Sequence, residues 1–217
     1  MSADTSYDVS PVFLLDVASK SPVEAELWSS ITNKNIDDWQ QKWLPATNKV
    51  VDALTAQGVD RRLWPQSTHW NWEKKKSSIE ALLGNQTFSI VCQGITQGMM
   101  ITDLTRRAKL EKQKGNHLIY VDYVEVAPWN RPSIVGNPQR YAGTGKLLIL
   151  AAIELSKQEE FKGRIGLHSL PQANDFYANK CGMTDLGPDP DPTYRGLRYF
   201  EMTPEQATVF IEKGGKS

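Results

Sequence analysis

The chain has 217 residues, of which 40% are apolar and 23% are charged, and its formal net charge is zero. This composition is typical of an ordinary water-soluble globular protein, and the length allows one large domain with a sizeable core. A zero net charge excludes a strong global field that would draw the chain to nucleic acid or to a membrane surface.

Cysteine content and apolar runs argue against disulfide-rich, metal-binding and membrane-spanning proteins. Cys92 and Cys181 are far apart in the sequence and belong to no Cys/His cluster. We therefore expect no disulfide framework, no metal site, and a reducing, cytoplasmic compartment. The N-terminal residues are polar and acidic, unlike a signal peptide. The longest apolar run, 147–153, is too short to cross a bilayer, so no membrane partner is expected.

The first third of the chain is rich in tryptophan and is predicted to be mostly helical. Ser21, Pro22 and Glu24 have the pattern of a helix start, with a capping residue, a first-turn proline and a capping-box glutamate. Pro45 interrupts a longer helical pattern and predicts a kink there. The predicted elements of this part are a strand at 12–18 and helices at 22–32, 35–57 and 70–83.

The rest of the chain alternates strands and helices. A helical crossover joins the strands at 118–127 and 164–169, so we expect them to be parallel. This order predicts a mixed α+β sheet in a single domain, 1–217, with a helical elaboration at 22–84 and a core at 85–202. The predicted strands lie at 87–93, 98–104, 118–127, 164–169 and 197–202, and the predicted helices at 143–161, 171–181 and 204–211.

The segment from Arg140 to Lys146, Arg-Tyr-Ala-Gly-Thr-Gly-Lys, follows a strand and opens a helix, as an anion-binding loop does. Glycines allow close approach of the backbone, and the first helical N–H groups point outward with partial positive charge. A P-loop would need glycine where Arg140 stands and Ser or Thr in place of Leu147. A dinucleotide fingerprint would need glycine in place of Leu148. The loop therefore predicts a phosphate ligand of another kind.

Two motifs resemble signatures of the GCN5-related N-acetyltransferase (GNAT) superfamily. The first is Arg-x-x-Gly-x-Gly, beginning at Arg140, after a strand that ends in Val-Ala-Pro. The second runs from Asn174 through Tyr177 to Gly182, although Tyr177 precedes Gly182 by five residues and the family usually has four. The resemblance covers 85–202. It implies the acyl-CoA N-acyltransferase fold, with a splayed mixed sheet and, in this chain, an extended N-terminal helical region.

The resemblance also implies an activity. The chain would transfer an acetyl group from acetyl-CoA, its co-substrate, to an amine of a small molecule or protein, directly and within a ternary complex. The loop amides would hold the CoA pyrophosphate, the strand backbone would pair with the pantetheine arm, and the Tyr177 phenol would protonate the departing thiolate. The implied cofactor-binding residues are Val124, Val126, Arg140, Tyr141, Ala142, Gly143, Thr144, Gly145, Lys146, Asn174 and Tyr177.

A base must remove a proton from the acceptor ammonium. Asp122 and Glu125 are the candidates, and because side chains alternate along a strand, only one of them can face the substrate. We favour Asp122, which shares the face of Val126. His168, acting through a water, is a third candidate. Each could instead be structural: a salt-bridged carboxylate, a satisfied core histidine, or, for Tyr177, a ring packed on the sheet.

Two charged segments leave the acceptor open. Acidic residues at 185, 189 and 191 could form a rim that attracts a cationic amine, or a solvated proline-rich turn. Basic residues over 106–114 could contact RNA, as in toxins of this superfamily that acetylate aminoacyl-tRNA, or form a solvated hairpin tip. Zero net charge argues against nucleic acid. A further alternative is a catalytically idle CoA-binding or partner-binding module, and the protein could be a monomer or a homodimer.

Overall fold

The computed structural model describes residues 7–131 and 139–214. The chain forms two compact units, each built from several segments. The first unit comprises 1–83, 87–100 and 124–148, and the second comprises 84–86, 101–123 and 149–217. Within the described ranges, no helix has the length and apolarity needed to cross a membrane.

An antiparallel hairpin opens the first unit. Strand β1 (Val9–Asp16) pairs with β2 (Ser21–Trp28) along the full length of both strands. The position of β2 corrects our prediction of a helix over 22–32. Val23, Ala25 and Leu27 are the less exposed residues and the two glutamates between them are exposed, which is the two-residue period of a strand. The helix-start pattern was a local signal, and pairing with β1 overrides it.

A continuous helical stretch follows the hairpin. It consists of α1 (Asn33–Asp38), a π-helical turn (Trp39–Trp43) and α2 (Leu44–Ala56), and it confirms the helix predicted over 35–57. The change of pitch comes just before Pro45, which cannot donate the hydrogen bond that a regular helix needs. Helix α3 (Trp72–Ile79) is shorter than predicted, and its Trp72 is fully buried in the core.

From β6 to β5, the strands lie in the order β6-β1-β2-β3-β4-β5. Strands β3 and β4 confirm the predicted pair, whereas β6 was not predicted. Leu15 and Asp16 of β1 pair with Ala142 and Tyr141 of β6. Helix α4 begins two residues after this pair, so β6 fixes the start of the helix. The bounds are β3 (Asn85–Cys92), β4 (Ile95–Asp103), β5 (Ile119–Val126), β6 (Tyr141–Ala142) and α4 (Thr144–Gln158).

The second unit contains the predicted parallel pair. Ile119 pairs with Ile165, and Val121 with Leu167, so β7 runs parallel to β5 as the crossover required. The other strands of this unit are antiparallel to their neighbours, in the order β5-β7-β9-β8. The sheet is therefore mixed, as predicted. The bounds are β7 (Ile165–Ser169), β8 (Thr184–Pro188), β9 (Arg198–Met202) and the final helix α5 (Pro204–Gly214).

Candidate functional site

The first turn of α4 presents amides that have no acceptor within the helix. Leu147 N–H donates to the Gly143 carbonyl at 2.9 Å, so Gly143 is the N-cap residue. The N–H groups of Gly143, Thr144, Gly145 and Lys146 therefore have no acceptor within the helix. Gly143 has φ +98°, which side-chain-bearing residues rarely adopt. Gly143 and Lys146 are exposed, so the positive end of the helix is open to an anion.

Close packing holds this turn against β4. An added Cβ at Gly98 would lie 2.8 Å from Thr144 Cγ2 and 2.9 Å from Leu148 Cδ1. Glycine on β4 thus allows the start of α4 to rest directly on the strand backbone. The Thr144 hydroxyl is buried and has no hydrogen-bond partner among the described residues. A buried hydroxyl without a hydrogen-bond partner costs about 1–3 kcal/mol of folding free energy. This turn therefore has an unused hydrogen-bonding group that a ligand could engage.

Buried amide side chains tie the end of β5 to the loop before α4. Gln97 Oε1 accepts hydrogen bonds from Trp129 Nε1 and Asn130 Nδ2, both at 2.9 Å. Asn130 Oδ1 in turn accepts from the Tyr141 N–H at 2.9 Å. The Ala127 N–H donates to the Gln97 carbonyl at 2.9 Å. Sequence reasoning missed this network, which fixes where the chain enters β6. A polar residue at the centre of the apolar strand β4 was the available signal.

Glu125 is enclosed by hydrogen-bond donors. Its carboxylate accepts from Ser67 Oγ at 2.6 Å, from Trp72 Nε1, and from Arg131 Nη2 at 2.5 Å. Arg131 also donates to Ser67 Oγ at 2.8 Å and to the Val126 carbonyl at 3.0 Å. Protonating this carboxylate would break an ion pair with Arg131 that is largely buried. These contacts favour an anchoring role for Glu125 over that of a general base.

Asp122 has different surroundings. It is half-buried on β5. Burial, followed by the negative charge of Asp122, raises the pKa of the neighbouring Tyr123 phenol. Its charge also acts on the Arg106 guanidinium. The negative charge of Asp122 thus acts on two neighbouring side chains, and its assignment as the base stays a prediction.

His168 is a satisfied core residue. Its side chain is 4% exposed, and its ring stacks on Tyr194 with centroids 3.5 Å apart. Nδ1 lies 2.6 Å from the Tyr120 hydroxyl, and Nε2 lies 2.9 Å from Asp189 Oδ2. Burial lowers the pKa of His168 despite the opposing charge of Asp189. A neutral ring that accepts from Tyr120 and donates to Asp189 satisfies both nitrogens, which favours the structural alternative.

The segment after β7 explains the unusual spacing of the second motif. Cys181 N–H donates to the Phe176 carbonyl at 2.9 Å, an i→i+5 bond, and Phe176–Lys180 is a π-helical turn. A π turn holds one more residue than an α turn, so it absorbs the extra residue between Tyr177 and Gly182. The helix predicted over 171–181 is correspondingly divided into a 3-10 turn (Pro171–Ala173) and this π turn.

Tyr177 and Asn174 lie within or next to this segment. The Tyr177 side chain is buried, and its ring packs against Phe200 with centroids 5.9 Å apart. Burial raises the pKa of Tyr177 well above the usual value, so the phenol stays protonated at neutral pH. Asn174 Oδ1 is buried and has no hydrogen-bond partner in the described part of the chain. Asn174 thus keeps a buried polar atom that no described residue satisfies.

Local partners neutralise the charged segments. Asp189 is buried and pairs with Lys109 Nζ at 2.5 Å, and Asp191 caps a 3-10 turn. Most charges of the predicted acidic rim and basic tip are therefore paired with side chains of the same chain, which leaves each segment with a small net charge. The other pairs are Asp185 with Arg198, Arg106 with Asp103, and Lys114 with Glu111. Among the described residues, no cluster of His, Cys, Asp or Glu is arranged to hold a metal ion.

Solved structures with a similar arrangement of strands and helices are known. An uncharacterised protein from Bacillus halodurans aligns with a TM-score of 0.51 and 11% identity over 94% of this chain and 97% of that chain. Mycobacterium smegmatis RimJ with CoA-disulfide aligns at 0.49 and 16% identity over 95% of each chain. A streptothricin acetyltransferase from Bacillus anthracis with acetyl coenzyme A aligns at 0.42 and 17% identity, over 58% of this chain and 66% of that chain. The alignment over nearly the whole of both chains shows that this chain shares the fold of the Bacillus halodurans protein.

The mixed sheet and its parallel pair are those that the sequence predicted. No family model matches the sequence, and no curated protein is significantly similar to it. An identity of 11% shows a shared fold alone. It assigns no role to any residue of this chain.

Proposed function

We propose that the chain is an acetyl-CoA-dependent N-acetyltransferase that transfers the acetyl group directly to an amine in a ternary complex. The observation that carries the proposal is the first turn of α4. Its N-cap is Gly143, its amides have no helical acceptor, and the exposed cations Arg140 and Lys146 flank it. This combination suits the pyrophosphate of a coenzyme.

The described residues fit this coenzyme in two further respects. Asn174 Oδ1 is a buried acceptor without a partner in the described ranges, as suits an amide of a pantetheine arm. The Thr144 hydroxyl at the start of α4 is a second buried polar group without a partner in the described ranges. Val124 and Val126 on β5 are proposed to supply backbone contacts, although the Val126 carbonyl already accepts from Arg131.

Acetyl-CoA would supply the acetyl group as an activated thioester. We assign Asp122 to accept a proton from the acceptor ammonium, because hydrogen bonds from Ser67 and Arg131 already engage the Glu125 carboxylate. We assign Tyr177 to donate a hydrogen bond, and then a proton, to the departing sulfur, since its raised pKa keeps the phenol protonated.

The acceptor is proposed to be a small-molecule or protein amine. Acetylation of aminoacyl-tRNA loses support, because local carboxylates pair with much of the basic segment that would contact RNA. The free, buried thiols of Cys92 and Cys181 are consistent with the reducing, cytoplasmic compartment that we propose.

A thiol-release assay tests this function. The protein is incubated with acetyl-CoA and a panel of amines that includes polyamines, amino acids and peptides with free N-termini. We expect release of CoA that depends on at least one amine, and we expect Asp122→Asn to abolish it. Binding of acetyl-CoA without turnover on any amine would favour the idle module, and the transferase proposal would then be wrong.

A further inference from the structure

A glutamine outside both sequence motifs lies against the proposed phosphate loop. Gln93 occupies the turn between β3 and β4, next to Gly94, and both residues have positive φ, +49° and +69°. The Gly94 carbonyl accepts a hydrogen bond from Lys34 Nζ at 2.7 Å. Gln93 and Gly94 form a tight hairpin turn with left-handed backbone, and Lys34 of α1 holds this turn. The backbone position of Gln93 is therefore fixed.

The side-chain oxygen of Gln93 holds the first residue of the loop. Gln93 Oε1 accepts from Arg140 Nη2 at 3.0 Å and from the Tyr141 hydroxyl at 3.0 Å. The Arg140 guanidinium also lies over the Tyr141 ring, 4.9 Å from its centroid. The Tyr141 ring is itself fully buried. An exposed arginine is thus restrained by a hydrogen bond and a cation–π contact at once.

These restraints leave most of the guanidinium available. Arginine has several N–H donors, and Gln93 engages one of those on Arg140 in the described residues. The acidic group whose charge reaches Arg140 is Asp16, and its carboxylate is held by Ser19 at 2.8 and 3.0 Å. Arg140 is therefore oriented, and no carboxylate in the described ranges forms an ion pair with it. A guanidinium held in this way binds phosphate at low entropic cost.

We propose that Gln93 is a positioning residue for the coenzyme: it holds Arg140 so that the guanidinium meets a phosphate group at the start of α4. This inference rests on the proposed function, because it requires that the loop bind a CoA phosphate. Gln93 acts through Arg140 and need not touch the ligand. Lys146, which is exposed in the same loop, provides the comparison of a cation that Gln93 does not hold.

A double-mutant cycle measured by calorimetry with acetyl-CoA tests the proposal. We expect Arg140→Gln to raise the Kd about tenfold or more, from the loss of a charge-assisted hydrogen bond. We expect Gln93→Leu to raise it about two- to tenfold, from the loss of pre-organisation. In the Arg140→Gln background, Gln93→Leu should have no further effect, whereas in the Lys146→Gln background its effect should persist.

The Gln93→Glu variant distinguishes positioning from a purely structural role, because it should change acetyl-CoA affinity without changing stability. The carboxylate keeps an acceptor for both donors but neutralises Arg140, so we expect weaker binding without loss of thermal stability. Wild-type affinity in Gln93→Leu, or an equal effect of that variant with and without Arg140, would overturn the positioning role alone. If the wild-type protein did not bind acetyl-CoA, the proposed function would fall and the inference with it.

Discussion

Removing the Glu125 carboxylate should destabilise the fold far more than a surface glutamate would. Glu125 is 10% exposed and receives hydrogen bonds from Ser67, Trp72 and Arg131. Glu125→Ala leaves the Arg131 guanidinium without its charge partner, so we expect a loss of about 3–5 kcal/mol in the free energy of unfolding. Glu125→Gln retains an acceptor and should cost about 1–2 kcal/mol. Glu154→Ala, which breaks an exposed pair, should cost under about 1 kcal/mol.

Urea unfolding followed by tryptophan fluorescence measures these differences, and a pH–rate profile separates stability from catalysis. We expect Glu125→Gln to retain turnover with an unchanged pH profile. Asp122→Asn should lose the acidic limb of the profile together with most of the turnover. A cost below about 1 kcal/mol for Glu125→Ala would refute the anchoring argument. Loss of turnover in a fully stable Glu125→Gln variant would refute the assignment of the base to Asp122.

Further predictions concern three other positions. Gly143→Val forces a side chain into a backbone conformation with φ +98°, and we expect it to weaken acetyl-CoA binding at least tenfold. The control is Gly58→Val, at φ +66° outside the loop, which should impose a similar strain of about 1–2 kcal/mol and leave the Kd for acetyl-CoA unchanged. Because burial lowers the pKa of His168 in the folded state, the unfolded state binds the extra proton first as pH falls below about 6.5. Unfolding free energy should therefore decrease from pH 7 to 5, and His168→Gln should flatten that slope; an unchanged slope would contradict this. Tyr177→Phe keeps the ring against Phe200, so stability and Kd should hold while turnover falls about 100-fold; unaltered turnover would remove Tyr177 from the mechanism.

Local sequence signals predicted the elements that define the fold. The apolar runs of β3, β4 and β5, the glycine loop and the crossover to β7 are each encoded by neighbouring residues. The structure contains all of them, with the parallel register that the crossover required. The N-cap role of Gly143 follows from the same local pattern, which is why the loop could be identified before any tertiary contact was known.

Contacts distant in sequence account for what the sequence could not predict. β2 is a strand because β1 pairs with it, although Ser21, Pro22 and Glu24 favour a helix start. Two partners of Glu125, Ser67 before α3 and Trp72 at its start, lie 58 and 53 residues away in the sequence, so the alternation of side chains on β5 could not reveal them. The spacing of the second motif did show one residue too many before Gly182, but only the backbone hydrogen bonds identify a π turn as the way it is accommodated.

Titration of acetyl-CoA into the protein by isothermal calorimetry tests the central claim most directly. The proposal predicts saturable binding at one site per chain. It also predicts that Gly143→Val and Arg140→Gln each weaken this binding and that Gly58→Val does not. Absence of binding, or binding that is indifferent to Gly143 and Arg140, would contradict the assignment of the α4 turn as the coenzyme site.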